Sequence, residues 1–110
     1  MRQFEIWWAN LPQPGGRRPV LLLSRDNSYA YLNKFTVVEI TTTVRHIAVE
    51  VRLGKAEGLP QTCAANCDNI RTIARTALAK RIGRLPPRRH SEVKRAMGHA
   101  LAWDELIEAL

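Results

Sequence analysis

Gly15-Gly16-Arg17-Arg18-Pro19-Val20-Leu21-Leu22-Leu23-Ser24 is the run that decides how the chain is read. Two glycines permit a tight exposed loop, because a residue without Cβ adopts positive φ at no steric cost. Pro19 fixes its own φ and keeps Arg18 extended, since the residue before proline avoids the α region. Residues 20–23 are wholly apolar, as in a buried strand. A guanidinium is therefore carried at the end of a stiff core strand beside a loop, a common mounting for anion-binding and catalytic groups. On this run alone a second reading stays open, a basic hairpin entry with two solvated arginines.

Working outward, residues 5–9 (Glu-Ile-Trp-Trp-Ala) read as a first strand whose tryptophans face opposite ways. The loop between carries Pro12 and Pro14. Residues 18–23 form the second strand. Residues 25–33 are polar and without period, a loop with room for one helical turn. Residues 35–43 are rich in β-branched side chains and read as a third strand. Period 2 sets Val37, Glu39 and Thr41 on one face, and Val38, Ile40 and Thr42 on the other. Arg45 and His46 fall in a turn.

Residues 48–53 alternate and form a fourth strand, with Val49, Val51 and Leu53 inward. Residues 63–66 are a short strand, residues 66–69 have turn chemistry, and residues 70–73 are extended again. Residues 74–79 allow one or two helical turns, and residues 80–85 a short basic edge strand. Val93, Ala96, Met97, Ala100 and Leu101 recur at helical spacing after Pro86-Pro87. Residues 103–110 either extend that helix or form a second one, with Trp103, Ile107 and Leu110 as an apolar stripe. Short strands followed by a terminal helix imply an α+β fold in one domain, residues 1–110. Its small antiparallel sheet is strongly bent and closes toward a barrel.

Charge narrows the partners. The chain has 17 Lys and Arg against 10 Asp and Glu, a net charge of +7. Asp104, Glu105 and Glu108 follow the last basic residue, Arg95, so residues 1–103 hold 17 basic against seven acidic side chains, an excess of ten. A polyanion such as nucleic acid, or an acidic protein, is the expected partner. A membrane is not, because the cations are spread over strands and loops rather than along one amphipathic helix. Cys63 and Cys67 lack the spacing of a zinc site, and His46, His90 and His99 are scattered. The thiols read as reduced and structural, with no metal site and no cofactor. No secretory leader or long apolar run is apparent, so a cytoplasmic location is expected.

Taken in order, several segments resemble the MazF/PemK toxins of toxin–antitoxin systems. They are residues 5–11, 16–25, 38–43, Gly58-Leu59-Pro60, residues 66–72 and Ile82-Gly83-Arg84-Leu85. The resemblance implies an SH3-like barrel with a C-terminal helix, acting as a homodimer. It also implies metal-independent cleavage of single-stranded RNA, arrest of translation and growth, and inhibition by a cognate acidic antitoxin. In that family an arginine before the proline and a threonine ending the third strand carry the chemistry. These positions match Arg18 and Thr41. Thr42 and Glu39 are further candidates for catalytic support, Glu39 either as a substitute base or as an ion-pair partner of nearby arginines. Arg17, Arg25, Arg45 and His46 are candidates for RNA phosphate contacts.

Such chemistry uses the RNA 2′-hydroxyl as nucleophile and leaves a 2′,3′-cyclic phosphate and a 5′-hydroxyl. A fixed guanidinium suits the charge that develops on the phosphoryl oxygens. Neither arginine nor threonine is an easy base, so the proton acceptor is missing from this set. The chain departs from many relatives at Pro12-Gln13-Pro14, which replaces a longer loop with an acidic residue. It also departs at Glu39, where a small residue or proline is common, and at Phe4, where glycine is usual. Two alternatives remain at this point: a toxin of the same fold that binds and poisons a topoisomerase, and a basic RNA-binding module without catalysis.

Overall fold

The computed structural model describes residues 1–110. Its strands are β1 Glu5–Leu11, β2 Gly16–Leu22, β3 Lys34–Thr41, β4 Glu50–Leu53, β5 Cys63–Ala74 and β6 Leu78–Arg84. Helices α1 His90–Leu101 and α2 Asp104–Ile107 follow. The strands make one antiparallel sheet in the order β4-β5-β3-β2-β1-β6.

The sheet is bent enough to bring its two edge strands near each other. A short 3-10 turn after β4, Lys55–Glu57, packs on β6 so closely that Gly83 has room for no side chain. A Cβ there would stand 2.1 Å from the Glu57 carbonyl oxygen. Gly58, at φ 94°, approaches Ile82 in the same way. This contact closes the bent sheet toward a barrel without a ladder between β4 and β6.

Both sheet faces bury apolar side chains. On one face Ile6, Leu21, Val38, Ile40 and Val51 form a core that α1 covers with Val93 and Ala96. On the other, Ala9, Leu11, Val20, Leu22, Phe35, Val37 and Ile73 pack with Tyr29. Burial in this second cluster pushes the Tyr29 phenol up to about 12. Tyr29 comes from a 3-10 turn at Asp26–Ala30, within the segment expected to be a loop with one turn. The two tryptophans divide as period 2 requires, Trp7 against the second cluster and Trp8 on the opposite face.

Several boundaries differ from the sequence reading. Residues 63–74 are one strand rather than two. The expected turn is absorbed as a bulge, because Val38 pairs with Ile70 whereas Ile40 pairs with Ala65. Asn66 Oδ1 accepts the Asp68 N–H at 2.9 Å, so the Asx chemistry is present but is spent inside the strand. β3 stops at Thr41, since the Thr43 N–H donates to Thr41 Oγ1 (3.1 Å) and turns the chain out. β4 starts at Glu50, whose carboxylate accepts the Arg45 and His46 N–H groups. α1 begins at His90 after a 3-10 turn at Pro87–Arg89, with no side-chain cap. Leu101 is 51% exposed rather than on the buried stripe. The terminal residues form the second helix, in which Ile107 packs on Gly98 while Trp103 and Leu110 stay exposed.

Candidate functional site

β2 leaves β3 where the proline stands. Their ladder runs Leu22↔Val37, Leu21↔Val38, Val20↔Glu39 and ends there. Pro19 has no N–H to extend it, although it still lies opposite Trp8 of β1. In the gap, between the loop Pro12–Gly15 and strands β2, β3 and β5, is a cleft of about 500 Å³. Arg18, Glu39, Asn69 and Arg71 line it with that loop. No hydrophobic side chain does.

Alternation along each strand explains the set. Arg18 follows the parity of Val20 and Leu22, Glu39 that of Phe35 and Val37, and Arg71 that of Ile73. All five of these apolar residues belong to the second cluster, so the polar trio extends that apolar face past its rim. Arg18 Nε donates to the Gly15 carbonyl at 3.1 Å, which anchors the guanidinium to the glycine loop. It also lies 3.9 Å from Glu39 Oε1. Arg71 Nη1 donates to Glu39 Oε2 at 3.2 Å. The two Nη atoms of Arg18 have no protein partner, and the side chain is 43% exposed. A cation held at its base with its outer donors open is equipped to receive a phosphate or carboxylate.

Thr41 lies on the same strand face as Glu39, two residues on. It lies beyond the last β2–β3 pair, Val20↔Glu39, and pairs instead with Ala64 of β5. Its Oγ1 accepts the Thr43 N–H, and its hydroxyl proton remains available. Thr42 is exposed beyond the strand end.

The other candidates are dispersed. Arg17 points to the opposite face from Arg18, its guanidinium 5.0 Å from the Trp8 ring centre. Arg25 lies past the far end of β2 and donates to Tyr31 Oη at 2.7 Å. Arg45 and His46 sit in the loop after β3, at the cleft's end of the sheet but not in its lining, and His46 Nδ1 hydrogen-bonds Arg52. The structure therefore groups Arg18 with Glu39, leaves Thr41 two residues further along the same face of β3, and separates Arg17 and Arg25 from them.

Arg71 is the cleft residue that sequence reasoning missed. Its signal was present only as parity, since a strand through Ile73 sets Arg71 on the same face. The bulge, which fixes where β5 meets β3, hides that register. No three His, Cys, Asp or Glu side chains come together in a group able to hold a metal ion. No helix is long and apolar enough to cross a membrane.

Comparison with known proteins gives a consistent result. The sequence model for the PemK-like, MazF-like toxin of type II toxin-antitoxin systems matches residues 2–101. The probable endoribonuclease MazF2 of Mycobacterium tuberculosis is 43% identical over 93 residues, covering 84% of this chain and 89% of that protein. Endoribonuclease MazF3 of the same species is 38% identical over 90 residues, covering 82% and 87%. Among solved structures, Mycobacterium tuberculosis toxin MazF-mt6 superposes with a TM-score of 0.84 at 37% identity, over 89% of this chain and 96% of that one.

Proposed function

The chain belongs to the PemK/MazF family of type II toxin–antitoxin toxins, and from that membership we propose that it is a toxin that acts as an endoribonuclease. Its relatives in that family carry the same activity in their names, and among them the topoisomerase-binding alternative finds no support. Residues 1–110 act as one toxin domain in the cytoplasm. The partner that restrains it is an acidic antitoxin drawn to the basic surface.

The reaction is transesterification of single-stranded RNA by its own 2′-hydroxyl. It leaves a 2′,3′-cyclic phosphate and a 5′-hydroxyl, and it needs no metal-activated water. Arg18 is the central catalytic residue. The observation that supports this is its geometry: Nε tied to Gly15 and both Nη groups open toward the cleft. The guanidinium donates to the phosphoryl oxygens as negative charge builds on them, and the Thr41 hydroxyl adds a further donor. Arg17, Arg25, Arg45 and His46 serve as outlying phosphate contacts, which attract RNA without taking part in turnover.

The test is cleavage of RNA in EDTA by the purified protein, with new 5′ ends mapped for a free hydroxyl. Arg18→Ala lowers the single-turnover rate by about 10²–10³, the cost of one lost transition-state donor. It leaves the fold intact, because the side chain is not in the core. Arg17→Ala, on the other face, weakens binding and makes its salt dependence shallower while turnover persists. Cleavage by Arg18→Ala at the wild-type rate refutes the assignment of Arg18. Restoration of EDTA-blocked activity by magnesium refutes the mechanism.

A further inference from the structure

We propose that Glu39 is the general base of this reaction and takes the proton from the 2′-hydroxyl beside the scissile phosphate. The inference rests on the endoribonuclease reading above and supplies the proton acceptor that an arginine and a threonine leave missing.

The cleft contains few groups able to do this. Guanidinium groups such as those of Arg18 and Arg71 keep their protons, and the amides of Gln13 and Asn69 are not bases. No histidine lines it: His46 is held by Arg52, and His90 hydrogen-bonds the Leu85 carbonyl (2.9 Å) under α1. Glu39 is the one carboxylate in the lining. Its two oxygens are used differently. Oε2 accepts from Arg71, which fixes the carboxylate plane. Oε1 accepts no hydrogen bond, since Arg18 Nε at 3.9 Å is beyond bonding distance and is committed to Gly15. At 19% exposure the side chain is within reach of a ligand. The charged groups that face it are Arg18 from β2 and Arg71 from β5, and the loop Pro12–Gly15 brings none.

This trio carries a net positive charge, so the carboxylate does not turn a phosphate away. A phosphoryl group bound by the open Nη groups of Arg18 and the spare donors of Arg71 stands against Oε1. The nearest substrate hydroxyl to that phosphorus is the 2′-hydroxyl, on the carbon adjacent to the one that carries the 3′-oxygen. Glu39 Oε1 takes its proton, and the freed electron pair on O2′ forms the O2′–P bond. The P–O5′ bond breaks with its pair on O5′, which takes a proton from water in the open cleft. Protonated Glu39 returns its proton to solvent. Atoms and charge balance with no co-reactant beyond water.

Glu39→Gln keeps the shape and removes the base. The expected single-turnover loss at saturating enzyme is about 10²–10⁴-fold. Binding of the same oligonucleotide with a 2′-deoxy sugar at the cleavage site is unchanged or tighter. The wild-type rate falls tenfold per pH unit on the acid side of its profile, and this limb is absent in Glu39→Gln. Glu39→Asp restores part of the rate together with the acid limb. Glu39→Gln cleaving as fast as wild type overturns the proposal, and faster cleavage means that Glu39 only competes with phosphate for the arginines. A slow Glu39→Gln that retains the acid limb overturns it too, and leaves Glu39 a positioning residue. These outcomes presuppose that the wild-type chain cuts RNA; if it does not, the endoribonuclease reading fails first and the base falls with it.

Discussion

Arg89 ties three parts of the chain together through one guanidinium. It pairs bidentately with Glu92 on α1, both bonds at 2.8 Å. It also reaches Glu57 at 3.2 Å and the Arg52 carbonyl at 2.7 Å. The hydrogen bonds from Arg89 hold Glu92 below the ordinary carboxylate range, against a burial effect that pushes it up. A depressed carboxylate contributes stability above its unfolded value, about 4.3, and that contribution is lost as pH falls through the folded value. Arg89→Ala leaves Glu57, 7% exposed, as a carboxylate with no cation. The expected loss is about 3–5 kcal/mol in urea unfolding at neutral pH. The same melts repeated as pH falls through the lowered Glu92 value show a smaller gap between variant and wild type, because the Arg89–Glu92 contribution is then lost from the wild type.

At this scale the sequence was readable where a cause is local. Pro19 fixes Arg18 within one peptide unit, and parity sets Glu39 and Thr41 on one face without knowledge of any partner. Arg71 and Arg89 were not readable, because their partners lie 32 residues away across strand pairings and loops.

Helix α2 rests on α1 through a glycine. A Cβ at Gly98 would lie 2.5 Å from the Ile107 nitrogen and 2.8 Å from the Leu106 carbonyl carbon, both backbone atoms that cannot swing aside. Gly98→Ala gains up to about 1 kcal/mol of helix propensity, but overpacking against backbone costs about 1–3 kcal/mol. The clash decides the sign. The urea midpoint falls, and amide exchange speeds up first in residues 103–110; a midpoint equal to or above wild type contradicts the packing described. Elements with internal period were legible, namely β1, β2, β3, β6 and the buried stripe of α1. The continuity of β5 was not. Asn66-Cys67-Asp68-Asn69 has the composition of a turn, and only the β3 partner makes it a bulge.

For the molecule as a whole, the acidic side chains are largely consumed internally. Glu5, Glu39, Glu57 and Glu92 are in ion pairs, Glu50 caps the loop after β3, and Asp26 accepts the Gln3 N–H. The cations left over give the basic surface. Apolar surface remains as well, since Leu101, Trp103 (53% exposed) and Leu110 are all exposed in the C-terminal helical segment. Pairing of this face with a second copy in an isologous contact buries it. Sedimentation at micromolar concentration is expected to give the mass of a homodimer, and Trp103→Glu to shift the protein toward monomer. A wild-type chain that sediments as a monomer rules the pairing out.

Strand order also sets events in time. Every residue lining the cleft lies between Pro12 and Arg71. β6, which pairs with β1, and α1, which covers the Ile6–Val38 face, are translated afterwards. Ribosomes release the chain from its N-terminus at about 5–20 residues per second. A nascent polypeptide that has emerged only as far as Arg71 thus contains every residue of the cleft, yet β1 is a bare edge and one sheet face is uncovered. The fold is completed only when residues 78–101 have followed, roughly a few seconds later at that rate.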